Sequence, residues 1–589
     1  MNTQLAFADL AIIVGFFAVM LAVGLYFSTR MRDLQDYFSG GRRVPWWLSG
    51  ISLYMSAFSA FTFVAYSALA YQYGWVAVTV SWTTVPAMIL SAYVFGPRWR
   101  RANSASPLEY IQTRYGNALR QGLAWLGIPM TVIDDGLKLF AIGTLVSTGL
   151  GLESKVVGGV EWDPLEIAIV GSGLVMLSYT FLGGLWAVLV TDFVQFVVMI
   201  AAVLVLVPLA YYRVGGWGAF LENVPDNFFR LTQDPSDPKS TYTWIYLVAF
   251  LVIMVLGYCS RWSFVQRYYS VRTDAEARKV GYLVAILSFV GPPLLFFPAM
   301  TAAVFMPGVE DANQVYMFLC KELLPIGMIG MIIAAMFSAT LSMLSSDYNA
   351  VAAVMTNDVY RPLFAPNASD KNLVFVGRVS TLLVGLIALG LGMLVADAQG
   401  EGDLFQLMAR LFGVFLPPIA IPMLAGLLTA KVSHAGGFLG FFLGIAVGLS
   451  AYFISEIPMA GNETLDLRYV PTITSLTTAS ALIGLWLGSV FAPNSPGRKT
   501  EVELFLLGVR STAPDAEDAT LKAANVTPGP VIGVSVAALG LLVVGVTLLT
   551  VPLSEAGLTL GVGTALTVIG AVCWLLSKKN TVTTEVSDK

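Results

Sequence analysis

Residues 10–27 read LAIIVGFFAVMLAVGLYF, eighteen consecutive positions without a charge. As a helix rising 1.5 Å per residue they span about 27 Å, close to the roughly 30 Å of a bilayer's hydrocarbon core. Similar runs recur near 45–71, 75–97, 121–150, 164–182, 187–211, 242–265, 281–305, 326–355, 374–396, 404–430, 436–455, 473–492, 531–551 and 557–577. With the first at 6–28 they make about 15 transmembrane helices. The whole chain agrees: 57% of its 589 residues are hydrophobic and 12% are charged, against roughly 25% charged in a soluble domain. The fold class expected is an all-α polytopic membrane protein.

Composition also excludes functions. One histidine, His434, and three scattered cysteines, Cys259, Cys320 and Cys573, leave no metal, redox or nucleophile–base constellation. An enzyme is not expected, and no cofactor is implied. A formal charge of -4 does not suit nucleic acid. The first run reads as a retained span, not a cleaved signal.

An odd number of crossings puts the termini on opposite sides. With the amino terminus outside, the inner segments hold 23 Lys and Arg and the outer ones six. The positive-inside rule then sets the carboxyl terminus in the cytoplasm, and a bacterial inner membrane is the expected location. Six regions follow: 1–44, an extra helix and loop; 45–211 and 242–430, five spans each; 431–492, two further spans; 493–530, a hydrophilic linker; and 531–589, two appended spans and a tail. An apolar patch in the linker, Leu504 to Leu507, suits the membrane face. Two units of five spans enter the membrane with opposite orientations, which suggests an inverted repeat. Each opens with a helix interrupted by small polar residues, Ser49 through Ser59 and Gly257 through Ser260. Such breaks free carbonyls that can hold a cation at mid-depth.

Ser338, Ser342, Ser345, Ser346 and Asn349 follow i, i+4, i+7, i+8 and i+11, one stripe of a helix. Hydroxyls and carbonyls are oxygen ligands suited to sodium; small hydroxyl residues also let helices pack closely. Both readings fit the stripe.

Tyr179-Thr180-Phe181-Leu182-Gly183-Gly184-Leu185-Trp186-Ala187 resembles the signature of the solute:sodium symporter family, and Thr191-Asp192-Phe193-Val194-Gln195 resembles its continuation. Gln266-Arg267 and the stretch Ser342 through Tyr360 match as well, and the resemblance covers about residues 6–492. It implies the inverted 5+5 repeat shared with the bacterial leucine transporter, and alternating access around a central site. The principal sodium site it implies uses the carbonyls of Met55, Phe58 and Ala339 and the hydroxyl of Ser342. A second hydroxyl of that site is replaced by Met343, a soft and poor sodium ligand, so Ser338, Ser56 or water must substitute. A second sodium site would join Asp192 to Ser342, Ser345 and Ser346. The alternative for Asp192 is simple hydration near the cytoplasmic end.

The family's solute positions fall on Thr62, Ser81, Thr84, Met254 and Ser288, with Gln406 an approximate match. The family's sugar carriers have an acid at the Ser81 position and a lysine at the Ser288 position, so a glucose-type solute is disfavoured here. The aromatic gate falls on Gly257, beside Tyr258. Asp134 and Asp135 precede Lys138 by four and three residues and reach it on one helix face. That set is either a self-neutralising group or a solute anchor through Lys138 or Asp135. Arg261 is a rival anion anchor, and Asp347 faces a neighbouring span or titrates. Trp82, beside Ser81, is a candidate for the cavity wall.

The expected function is sodium-coupled import of a small organic solute: a sugar, sugar acid, carboxylate or amino acid. A proton-coupled or uncoupled carrier is the alternative on the same scaffold; a membrane sensor or channel is the alternative of another class. The partners implied are the solute, sodium as coupling ion and the lipid bilayer; the sequence sets no oligomeric state.

Overall fold

The computed structural model of the protein describes residues 6–28, 43–102, 106–157, 159–237, 240–398, 404–458, 464–511 and 528–587. Within them the chain is helical apart from two short antiparallel hairpins, Lys155–Val157 with Val160–Trp162 and Glu456–Pro458 with Thr464–Asp466. Among the described residues 11 helices are long and apolar enough to cross a membrane. The count is 12 if the bent pair Trp244–Ser260 and Trp262–Tyr269 forms one span.

Three of the expected spans fall outside that count, two of them for a physical reason. The segment 45–71 is broken: Trp46–Met55 ends at a turn through Ser56 and Ala57, and helix resumes beyond Ser59. The helix Asn117–Leu150 carries Asp134, Asp135 and Lys138 at its centre. Pro164–Ser178 is apolar, and the side chains that follow it lie outside the described residues. Helical backbone also runs without interruption from Pro164 to Arg213, where two helices were expected. Its 50 residues rise about 75 Å, length for two crossings of the hydrocarbon core. The side chains of 179–184, where the family signature was read, lie outside the described residues.

Side-chain caps set several helix starts. Asp163 and Glu166 form a capping box, and Thr273, Ser433 and Ser495 each accept an amide from the first turn they precede. The centre of the molecule is the helix Met328–Val354, in which every residue except Ile329 is buried. A span with no lipid-facing stripe must be ringed by others, and Trp46–Met55, Asn117–Leu150, Pro164–Arg213 and Asp370–Ala398 all pack on it.

The outer helices have other roles. Asp9 of Phe7–Ser28 is buried and accepts from the Gly330 amide at 2.7 Å, satisfying the first turn of the central helix. The appended helices Pro528–Thr550 and Gly557–Ser587 form a tight hairpin, with Gly533, Gly540, Gly563 and Gly570 at their contact. A Cβ on any of the four would come within 3.0 Å of the facing helix, the close approach that small residues permit in membranes. The linker contains a helix, Pro496–Arg510, with Val502, Leu506 and Val509 buried and Leu504 and Leu507 exposed. Linker residues 512–527 lie outside the described residues.

Candidate functional site

The two broken helices meet beside the central helix. In the first, Ser56 donates to the Ser52 carbonyl and the Phe58 amide donates to the Met55 carbonyl. The second half starts when the Ala60 amide donates to Thr340 Oγ1 at 2.7 Å, so the central helix caps its partner across the gap. In the second broken helix the interruption falls on Arg261, with φ -58 and ψ 131, and the halves bend by 48°. This lies one residue beyond the Gly257–Ser260 stretch expected to interrupt it.

Around the first break is a set of hydroxyls with one carboxylate. Asp192 is fully buried, not hydrated near a span end. Its Oδ2 accepts from Ser52, and Arg267 Nη2 lies 3.6 Å away. Arg267 donates to Ser52 and Ser56 at 3.1 Å each and to Ser346 at 2.6 Å. Ser346 also shares a 2.9 Å hydrogen bond with Ser56. Ser342 lies within hydrogen-bonding reach of the carboxylate, though at poor geometry, and neither Ser342 Oγ nor Asp192 Oδ1 has another partner among the described residues. Buried polar oxygens are rarely left so weakly bonded. Two such oxygens side by side, next to Ser52 of a broken helix, suit a desolvated sodium ion. Ser345 donates back to the Ser342 carbonyl at 3.1 Å. Ser338 donates to the Ala334 carbonyl at 2.6 Å, which leaves its oxygen lone pairs free.

A second polar group lies on another face of the central helix. Lys138 donates to Asp135 and Asp347 at 2.7 Å and pairs with Asp134 at 2.9 Å. Arg261 Nη2 pairs with Asp134 at 2.5 Å and with Asp347 at 2.6 Å. Five charges on three helices therefore converge into one buried network. The carboxylates of Asp134, Asp135 and Asp347 offer oxygens within 4.8 Å of one another, close enough for a metal ion. Here the ammonium and the guanidinium neutralise them instead.

A cavity of ≈ 140 Å³ opens where the two helix breaks face each other. Its walls include Ala57 and Ser59 from the first break and Gly257, Tyr258, Ser260 and Arg261 from the second. Thr62, Lys138, Tyr258 and Arg261, all expected at the solute site, line it, as does Met254. Ser81, Thr84, Ser288 and Gln406 do not. Their helix positions are directed elsewhere: Trp82 stacks on Phe289, 5.1 Å between ring centres, and donates to its carbonyl, which draws this face against Asp274–Phe305 instead of the cavity. Thr84 Oγ1 lies 3.9 Å from the Met254 sulfur, one layer behind the wall. Met343 also lines the cavity, so the thioether that departs from the family's sodium ligands forms part of the solute surface.

Three features escaped the sequence reading. Ser52 lies one turn before Ser56 and was legible by that spacing alone. Arg267, noted only as a motif match, reaches back from the second broken helix to the carboxylate. Thr340 had no signal, because its role depends on which amide the break leaves open.

Comparison with known proteins follows this geometry. The family model described as Sodium:solute symporter family matches residues 37–444. The chain is 26% identical over 515 residues to the sodium/glucose cotransporter of Vibrio parahaemolyticus, covering 81% of this chain and 91% of that one. It is 25% identical over 464 residues to the sodium/sialic acid symporter SiaT of Proteus mirabilis, covering 77% and 90%. Among solved structures, a Na+-coupled sialic acid symporter in a substrate-bound outward-open state superposes with a TM-score of 0.68 at 20% identity, over 82% of this chain and 98% of that one.

Proposed function

The chain belongs to the sodium:solute symporter family, and from that premise we propose how it couples sodium to a solute. It is a sodium-coupled symporter of small solutes and not an enzyme. In our reading, the principal sodium uses the Met55, Phe58 and Ala339 carbonyls with Ser342, and a second sodium binds at Asp192 and Ser342 with Ser345 and Ser346. The weakly bonded pair of Asp192 Oδ1 and Ser342 Oγ is the observation that carries the second assignment. Arg267 balances Asp192 when the ion is absent and yields Ser346 when it arrives. Sodium thereby fixes the first broken helix against the central one. Because Ala57 and Ser59 also form the cavity wall, that fixing shapes the solute site. Coupling then follows from differential affinity: sodium favours the solute-ready arrangement over the others.

Topology belongs to the same proposal. An inverted repeat of 45–211 and 242–430, with about 15 crossings, amino terminus out and carboxyl terminus in, places one broken helix at the head of each half. The convergence of both breaks on one cavity supports it. Import of solute down the sodium gradient is the direction we infer.

The test is thermal melting of the purified protein with sodium titrated against choline at constant ionic strength. Sodium raises the melting temperature of the wild type, and Asp192→Asn removes that rise. A wild type indifferent to sodium sinks the assignment. One observation favours a second reading, proton coupling: three carboxylates face two cations in the Lys138 network, and Asp135 Oδ2 is buried without a partner. Solute uptake driven by a pH gradient in choline would select it.

A further inference from the structure

The cavity separates the five networked charges into those a solute can reach and those it cannot. Lys138 lines the wall, but two of its three N–H donors go to Asp135 and Asp347 at 2.7 Å and its ammonium also pairs with Asp134 at 2.9 Å. It has at most one donor left for a ligand. Asp135 and Asp347 are not on the wall at all. Asp134 and Arg261 are, and each spends only part of its capacity. Both ion pairs of Asp134 use Oδ2, leaving Oδ1, and both of Arg261 use Nη2. Among the described residues no hydrogen bond involves Arg261 Nε or Nη1, and its side chain, 18% exposed, rests over the Phe264 ring at 5.5 Å. One open acceptor and one open donor edge thus stand side by side, already held at the correct spacing by their own ion pair.

The remaining wall is mostly apolar, led by Met130, Met254, Met343, Met408, Phe412 and Leu416, with hydroxyl residues such as Ser59, Thr62, Thr131 and Ser260 set among them. A sugar ring lying against the methionines would leave the hydroxyls on that side without partners, each costing about 1–3 kcal/mol. The volume, ≈ 140 Å³, is close to that of a cavity that takes one benzene-sized body, about 150 Å³.

Fixed charge narrows the class further. With three carboxylates against two cations, a bare anion adds a second uncompensated negative charge to a buried site. A bare amine satisfies Asp134 but leaves the open edge of Arg261 facing thioethers. A molecule carrying both charges serves both groups and leaves the sum unchanged.

Resting on the symporter reading above, we propose that the solute is a small zwitterion with an apolar body, its carboxylate seated on Arg261 and its ammonium on Asp134. The apolar part fills the methionine-lined end. Arg261 sits at the break of one helix and Asp134 in the middle of another, so the bound zwitterion joins two elements that already meet through their ion pair and the packing of Trp262 on Gly127. Lys138, Asp135 and Asp347 hold the pair in place from behind.

The experiment is melting of the purified full chain in sodium against L-leucine, L-methionine and L-proline. The comparison set is 4-methylpentanoate (leucine without its amine), 3-methylbutylamine (leucine without its carboxylate) and D-glucose. At least one zwitterion raises the melting temperature, and both single-charge relatives of leucine bind at least tenfold more weakly than that zwitterion. Asp134→Asn moves preference towards 4-methylpentanoate, and Arg261→Gln moves it towards 3-methylbutylamine. Arg261→Lys keeps the cation should the glutamine variant not fold, and weakens every carboxylate ligand at least tenfold. The sodium-induced rise in melting temperature, retained in each variant, certifies its fold. The proposal is overturned if D-glucose or either single-charge relative matches the best zwitterion. It is equally overturned if no zwitterion binds, or if the variants leave the preference unchanged. A wild-type protein whose melting ignores sodium counts against the symporter reading instead.

Discussion

Two polar groups flank the central helix, and they are built on opposite principles. On one face Asp347 joins Asp134, Asp135, Lys138 and Arg261, and three carboxylates pair with two cations through contacts of 2.5 to 2.9 Å. On another, starting one residue earlier at Ser346, hydroxyls surround Asp192 and leave Ser342 Oγ and Asp192 Oδ1 at most weakly bonded to each other. The first group is held by its own ion pairs and keeps spare capacity only at its edges, on Asp134 Oδ1, Asp135 Oδ2 and the outer side of Arg261; the second has an oxygen pair at its centre with no cation between. Burial alone does not mark a binding site, since both are buried. The distinction lies in which atoms still have unused capacity.

The comparison breaks most visibly through the ion-paired group. Lys138→Met leaves three carboxylates with Arg261 alone and destabilises the fold by about 3–5 kcal/mol. The expected result is a collapse in monodisperse yield on gel filtration, partly restored by adding Asp135→Asn. Normal yield from the single variant would show that the network does not depend on its ammonium. The open group responds differently. Asp192→Asn leaves the protein foldable but removes the sodium-induced rise in melting temperature. Ser342→Ala raises the sodium midpoint of that rise about tenfold, equivalent to ~1.4 kcal/mol, whereas Ser338→Ala, one turn away and bonded to Ala334, leaves it unchanged. Equal effects from the two serines would erase the contrast between a hydroxyl beside Asp192 and one apart from it. The smallest effect sharpens the border between them: Thr340→Val removes the cap on the Ala60 amide and costs about 1 kcal/mol. It is read as faster hydrogen exchange at Ala60.

How much of this was legible beforehand depended on range. Apolar runs marked the spans because the bilayer imposes a length on each of them. At 45–71, 121–150 and 164–182 they marked stretches that do not meet a span's length and charge on their own, because the helix is broken, is charged or continues into the next. Local spacing disclosed the Ser338–Asn349 stripe and the approach of Asp134 and Asp135 to Lys138. It did not disclose that Arg261 and Asp347, 123 and 209 residues further along than Lys138, complete that network. Nor did it disclose that Arg267 reaches Ser346 from another helix. Gapless matching to relatives carried Thr62 and Tyr258 to the cavity and misplaced Ser81, Thr84, Ser288 and Gln406. The reason is packing: once Trp82 stacks on Phe289, that helix face turns with it. Pairing between distant spans is decided by tertiary fit, which no single-helix pattern encodes.

The amide of Gly330 meets Asp9 so closely that a Cβ there would lie 2.4 Å from the Asp9 carbonyl oxygen. The first span is outside the paired halves, yet it is pressed main chain to main chain against the helix that carries Ser342 and Asp347. An engineered version lacking that span would bring an uncapped helix start into contact with lipid. Attempts to trim this carrier to a minimal ten-span unit will therefore fail at the amino end first, and a fusion or label attached before Phe7 is safer than any cut after it.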